Sequence, residues 1–520
     1  MPKTIILCVD GTKNQFQTQP FTNVMKFYRM LYKEDPSTQL CYYQPGIGSV
    51  EAEFMDLQGY VRKIPVTINA EIDSMVAHRM DQHIVAAYKF LVQYYSQGDK
   101  IFLFGFSRGA FTVRILAGMI EKVGLLSVGS THMALTAWSI YRNWETCGQP
   151  KAPKDLANSL AVEFKRTFSR NTVNIEFMGL WDSVNSVGVI RDRMFPFSSK
   201  ADHIKHIRHA ISIDERRTKF KQNLFCPIPS DFAFTETADE LPDSPQIDLQ
   251  EIWFPGSHSD VGGGWLSDDQ GHCLSNIPLR WMIAQALKYG VLFSSGSVSE
   301  FDLTYPTMDS LFSYHHDPLQ LIPKRYSHNL PSPHHSSSTA TSLLYDILEK
   351  DFAAMASSLT RFQFQRKLRQ IFPNTLLLDE VPPPPVYRFD NRGEDSIIRC
   401  LKWWLLELLP IGVYQNDPET NRWVRSYRPN LGKRRVLPRY ARFHWSLFWR
   451  LYHIEDYNPS NLTDMASTLF EILKQNSTNE TGTHVNQINE FGELVPNTQI
   501  NWKQFPNDLQ LQLSATSIVI

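Results

Sequence analysis

No two cysteines in this chain stand close enough in sequence to grip a metal or frame a small disulfide fold. The six (Cys8, Cys41, Cys147, Cys226, Cys273 and Cys400) are spread over 520 residues with no Cys-X-X-Cys pair. That excludes a zinc ribbon and a stapled secreted scaffold, and it fits reduced thiols. Surplus charge is missing as well: 52 Lys and Arg against 53 Asp and Glu leave a net charge of -1. No overall field draws in nucleic acid. Long apolar runs are also scarce. The opening MPKTIILCVDGT breaks at Asp10, too early for a signal peptide, and Leu401 to Val413 is interrupted by Lys402 and Glu407 and too short to cross a bilayer. The expectation is a cytoplasmic protein with no transmembrane segment, no nucleic-acid partner and enough chain for a large core.

What is present is a repeating order of strand and helix signals. Thr4 to Val9 and Ile101 to Phe104 are continuous apolar runs, as strands buried on both faces must be. Leu40 to Tyr43, Asn174 to Trp181 and Leu249 to Phe254 are predicted as further strands. Apolar spacing predicts helices over Met80 to Tyr95, Phe111 to Val123 (closed by Gly124) and Ile277 to Tyr289. The pattern implies an α/β fold: a mostly parallel, α/β-hydrolase-like sheet flanked by helices, with helical insertions and a C-terminal extension. The expected organisation is a catalytic domain over 1–290 with an insertion at about 125–170, and a loop-rich helical insertion over 291–375. A Trp/Arg-rich region over 376–460 packs on the catalytic domain, and a polar, partly disordered tail covers 461–520.

Function in such sheets gathers at the carboxyl ends of the strands. Ser107, in Gly-Phe-Ser-Arg-Gly, follows one strand end and precedes a helix, the setting of a nucleophile elbow. Gly105 and Gly109 would leave room for that strained turn. A hydroxyl needs a base and a group that orients the base. Asp182 and His258 follow later strand ends in the hydrolase order serine, acid, histidine. Asp260 is the alternative acid and Asp214 a third contender, with Asp260 equally able to pin the glycine turn Gly262 to Gly264. Backbone N–H groups of Arg108, and of Gly11 or Thr12, are the candidate oxyanion donors. No metal or organic cofactor is called for.

Other features carry less. Asp10-Gly11-Thr12 lacks the second acid of an aspartyl phosphatase. His203, His206 and His209 repeat every three residues, as on one helix face, with no acid at metal spacing. His315-His316 reads as an incidental loop pair. Asn421 to Arg450 holds nine Lys and Arg and no acid, interleaved with Trp and Tyr. Packing on the rest of the protein is the preferred reading of that stretch, and a peripheral membrane contact is its alternative.

Taken together, "CVDGT", "YYQPGIGS", "GFSRGAFTVR", "GLWDSV", "HAISIDERR", "WFPGSHSDVGGG" and "IPLRWM" resemble, in order, the type VI secretion phospholipase effector-like α/β-hydrolases. That family, once a domain of unknown function, is widespread in bacteria and fungi. The likeness covers about residues 1–290, and "WWLLELLP" and "FHWSLFWR" look like the carboxyl-terminal part of eukaryotic members. It implies a serine hydrolase cleaving carboxylic esters of phospholipids or other lipids, with Ser107 as nucleophile, Asp182 as acid and His258 as base. The bacterial members are toxins delivered with partner proteins, and no delivery module is evident here. The competing expectation is a catalytically silent hydrolase fold used for binding. Peptide or thioester cleavage would use the same triad.

Overall fold

The computed structural model describes residues 2–11, 20–46, 70–144, 154–170, 173–184, 186–187, 191–192, 195, 204–225, 248–265, 273–321, 391–394, 397–410, 413–417, 422–437, 441–444, 446–447, 450–451, 454, 457–462, 487–488 and 494–495. Strands β1 (Thr4–Val9), β2 (Gln39–Gln44), β3 (Lys100–Phe106), β4 (Ile175–Trp181), β5 (Ile204–Ser212) and β6 (Asp248–Phe254) have helices between them from β1 to β4, and two more helices follow β6. These helices are α1 (Asn23–Met30), α2 (Ala70–Tyr94), α3 (Arg108–Val123), α4 (Ala134–Arg142), α5 (Lys154–Phe168), α6 (His258–Gly262) and α7 (Asn276–Lys288). Next come α8 (Ser297–Thr304), α9 (Thr307–Phe312), β7 (His315–Leu321), β8 (Asn391–Glu394), α10 (Ile397–Leu408), β9 (Val413–Asp417), β10 (Arg422–Ser426) and β11 (Arg442–Phe443).

One seven-stranded sheet runs β11-β6-β5-β4-β3-β1-β2, and every neighbouring pair in it is parallel. The continuous apolar runs are explained by the two layers that cover it. Ile5, Leu7, Ile101 and Leu103 face α2, α3 and α4, while Ile6, Cys8, Phe102 and Phe104 face α1 and α7. Phe102 and Phe104 are fully buried, each contributing about 1.5–3 kcal/mol of burial. From β1 the chain moves outward to β2 and then returns to the other side of β1 as β3. That reversal opens a crevice at the carboxyl ends of β1 and β3.

Several boundaries differ from expectation. Helix α3 begins at Arg108, because the turn at Ser107 leads into it without a linking loop. Helix α2 extends back to Ala70. His206 and His209 lie on strand β5, not on a helix, and His203 is outside the described residues. The reason is tertiary: β5 is hydrogen-bonded between β4 and β6 with Ile204, Ile207, Ala210 and Ile211 buried. Three residues apart on a strand, the two histidines face opposite sides. His206 bonds Asp248 at 2.8 Å and stacks on Tyr289, whereas His209 bonds Glu251 at 3.0 Å. The part of the chain beyond residue 290 returns to the same sheet, where β11 pairs with β6.

Candidate functional site

Ser107 and Asp182 sit one residue past the neighbouring strands β3 and β4, and His258 lies four residues past β6, on the far side of β5. The registers Phe106↔Trp181 and Trp181↔Ala210 put the ends of β3 and β4 level, with β5 running two residues further. Backbone bonds extend the ladder into the loops: Ser107 N donates to Trp181 O at 3.0 Å, and Asp182 N donates to Ala210 O at 2.8 Å. Ser107 adopts φ 58° and ψ −124°. Asp182 has φ 41°. Such backbone strain in non-glycine residues gathers at functional sites and persists only where the surroundings over-determine it.

The glycines beside the serine have steric reasons. A Cβ on Gly105 would lie 2.7 Å from Ala110 backbone atoms, and one on Gly109 would lie 2.3 Å from Val9 O and 2.4 Å from Asp10 O. Strand β1 therefore runs against the start of α3 with no room for a methyl group. Asp10 holds this corner, accepting from Gly11 N at 2.6 Å, Thr22 Oγ1 at 2.6 Å and Tyr43 OH at 2.9 Å. Gly11 N thus points at the Asp10 carboxylate, and Thr12 lies outside the described residues. Arg108 N belongs to the first turn of α3, whose N–H groups no carbonyl within the helix receives.

His258 opens the short helix α6. Its Nε2 lies 2.8 Å from Ser107 Oγ, and its Nδ1 lies 2.5 Å from Asp182 Oδ2. The ring is packed between Phe106 and Phe220, each with its centroid 4.7 Å away. Burial pushes the His258 pKa below its ordinary value, and the bond to Asp182 offsets only part of this. The imidazole is neutral at pH 7, with Nδ1–H donating to the carboxylate and Nε2 able to accept the serine proton. For Asp182, burial alone would favour the acid form, but the Arg435 guanidinium and His258 outweigh it and hold the carboxyl below its usual range.

Asp260 is turned elsewhere. Its Oδ2 accepts from Ser257 N at 2.9 Å in a capping box, and its Oδ1 meets His316 Nδ1 at 2.7 Å. His316, expected in a loop, stands on β7 and stacks on Trp265 at 4.6 Å. Asp214 accepts from Gly256 N and Tyr457 OH, both at 2.7 Å, and pairs with Arg434. Among the described residues no group of acidic, His or Cys side chains could hold a metal ion.

Two residues at the site were not singled out from the sequence: Glu215, inside HAISIDERR, and Arg435, outside every motif. Glu215 accepts from His258 N at 3.2 Å and from Arg217 at 2.7 Å, so it fixes the histidine's backbone. Arg435 grips Asp182 with both terminal nitrogens, at 2.5 Å and 2.9 Å. Its only forewarning was the run of basic residues, which faces both ways: Arg428, Lys433 and Arg442 are exposed. Arg435 and Arg450 are buried, and Arg434 pairs with Asp214.

Residues 3–285 match the family described as "T6SS, Phospholipase effector Tle1-like, catalytic domain". The chain belongs to the Tle1-like phospholipase effector family. Membership sets the general class of chemistry as lipid-ester hydrolysis. The chain is also similar to uncharacterized protein YEL023C of Saccharomyces cerevisiae, 36% identical over 91% of this chain and 82% of that protein. Among solved structures it resembles an uncharacterized Pseudomonas aeruginosa protein at 18% identity and TM-score 0.33, covering 59% of this chain and 48% of that one. It also resembles the Tle1 effector bound to the VgrG spike of the type 6 secretion system at 17% identity and TM-score 0.26, covering 51% of each chain. The chain spans about half the length of these solved relatives. No helix among the described residues is long and apolar enough to cross a membrane.

Proposed function

We propose that this Tle1-like protein is a serine hydrolase that cleaves carboxylic esters of phospholipids or related lipids through an acyl-enzyme. The observation that carries the reading is the chain of contacts from Ser107 Oγ through His258 to Asp182, at 2.8 and 2.5 Å. Ser107 attacks the ester carbonyl carbon while His258 Nε2 takes its proton. Asp182 stabilises the imidazolium, and the developing oxyanion faces the N–H of Arg108 at the amino end of α3. His258 then gives the proton to the departing alcohol. Water repeats the sequence in reverse to free the acid. The resting hydroxyl is enclosed: Ser107 is 5% exposed, Phe220 lies on His258, and Trp403 lies on Phe220 at 5.7 Å. An acyl chain reaches the serine when this aromatic stack shifts.

The surface that supports contact with aggregated lipid is α10 rather than the Arg-rich stretch as a whole. Ile397, Ile398, Leu401, Leu405 and Leu408 are 55–66% exposed along that helix. Arg399, Lys402, Arg428 and Lys433 are exposed on the same helix and the following segment. Apolar side chains fringed by cations suit an anionic phospholipid surface.

Ser107→Ala is the direct test. It should lower kcat/KM on an ester substrate by at least about 10⁴-fold and abolish fluorophosphonate labelling while leaving the melting temperature unchanged. A wild-type chain that folds and takes no fluorophosphonate would overturn the reading and favour a silent, ligand-binding hydrolase fold. Activity should fall on the acid side as His258 takes up a proton, with its midpoint below the ordinary histidine value because burial opposes the charge.

A further inference from the structure

Asp182 does not serve His258 alone. Its two oxygens accept four bonds: from Ser212 N at 2.9 Å, from His258 Nδ1 at 2.5 Å, and from Arg435 Nη1 and Nη2 at 2.5 and 2.9 Å. Arg435 is in turn held in place. Its Nη1 donates to Ser212 O at 3.0 Å, its Nε donates to Phe220 O at 3.0 Å, and Nη2 also bonds Phe220 O. The backbone around it is tied down too. Asn461 Nδ2 donates to Arg435 O at 2.9 Å, and Gln222 Nε2 donates to Val436 O at 2.9 Å. Residue 435 lies 150 positions beyond residue 285, where the match to the catalytic-domain family ends.

We propose, resting on the hydrolase reading above, that Arg435 is a positioning residue for the reaction, fixing the plane of the Asp182 carboxylate and moderating the basicity of His258. A planar guanidinium bound to both oxygens permits one carboxylate orientation, which a point charge would not define. That orientation aims Oδ2 at Nδ1 and compensates for the strained backbone of Asp182, φ 41°. The cation also shares the carboxylate's charge, so the imidazolium feels less of it. His258 is faced by the carboxylates of Asp182 and Glu215 and by Arg217, and Arg435 meets it through Asp182. With four such groups around one ring, removing Arg435 leaves two carboxylates against one guanidinium. The charged imidazole is then favoured, and His258 becomes more basic.

The sign of the effect separates this role from a purely structural one. Full-length wild type, Arg435→Gln and Arg435→Lys are compared on a soluble short-chain ester across pH, with melting temperatures alongside. Arg435→Gln should lower kcat about 10- to 100-fold, the range in which groups that orient a working residue act, with little change in KM. Its acid limb should move to higher pH. Arg435→Lys, keeping the charge without the two-point grip, should keep the acid limb near wild type while kcat stays reduced. If Arg435→Gln does not fold, Arg435→Lys decides: a reduced kcat with the acid limb in place is the expected result, and a wild-type kcat or inactivation rate with fluorophosphonate overturns the proposal. Wild-type kcat in Arg435→Gln, or a lowered kcat with an unmoved limb, overturns the proposal. Its failure is distinct from failure of the hydrolase reading, in which wild type itself would lack a Ser107-dependent fluorophosphonate adduct.

Discussion

Two helices flank the candidate site and are built in opposite senses. Helix α3 buries Ala110, Phe111, Val113, Ile115, Leu116, Met119 and Ile120 against the sheet. Helix α10 exposes Ile397, Ile398, Leu401, Leu405 and Leu408 and buries Cys400 and Glu407. Glu407 is what fixes α10 in place. It accepts from Thr218 N at 2.5 Å, Asn430 Nδ2 at 2.6 Å and Gly432 N at 3.1 Å, and Trp404 Nε1 donates to Leu319 O at 2.8 Å. The pair teaches that an amphipathic pattern does not name its inner face. A buried acid with enough donors can outweigh an apolar stripe.

The largest test of this contrast is Gly109→Ala at the start of α3. The added methyl meets two carbonyl oxygens at 2.3 and 2.4 Å, and the expected result is a loss above about 4 kcal/mol or insoluble protein. The matching change on α10, Leu405→Ala, should alter unfolding free energy by less than about 0.5 kcal/mol. A large cost for Leu405→Ala in urea titrations would mean that the outer stripe is packed in solution. Glu407→Ala comes next, at about 2–4 kcal/mol, since it strips the buried N–H groups of Thr218 and Gly432 of their acceptor and takes one acceptor from the Asn430 amide. Equal stability to wild type would remove Glu407 as the anchor.

A smaller effect concerns the outer stripe itself. The double change Leu401→Glu and Leu405→Glu should leave stability and short-ester turnover unaltered. It should weaken sedimentation with vesicles containing phosphatidylserine by about tenfold. Undiminished co-sedimentation would detach α10 from lipid contact. The smallest effect is in pH. Burial opposes the charge on Asp214 and Glu215, but Arg434 and Arg217 respectively outweigh it and depress both pKa values. The folded state therefore binds fewer protons than the unfolded chain, and the stability from these groups is lost as pH falls below about 4. Hydrogen exchange should show residues 430–437, tied in through the Arg434–Asp214 pair, losing protection before α3, whose packing is apolar. Simultaneous loss would mean that the two sides unfold as one unit.

Much of the sheet was legible because buried parallel strands leave continuous apolar runs such as Ile101 to Phe104. Ser107, Asp182 and His258 were legible because each follows such a run within a short loop, so their meeting required only that the strands end near one another. The histidines of β5 misled because a spacing of three is helical only where no neighbouring strand claims the backbone. His316 had no signal at all, since its partner Asp260 is 56 positions away. Arg435 was visible as one basic residue among nine, and nothing in local sequence marks a partner 253 positions earlier. The exposed side of α10 was equally hidden, because Glu407 reads as an interruption of an apolar run until its three donors are in view.

The pairing of β11 with β6 has a consequence for how the protein is made. Residues 442–443 are translated nearly 190 positions after Phe254. A ribosome that has finished the catalytic segment therefore holds a chain whose rim along Asp248 to Phe254 has yet to receive its last partner. Bare strand rims invite pairing with other chains. Prematurely terminated products ending before this point should be the sticky ones, even with Ser107, Asp182 and His258 all in place.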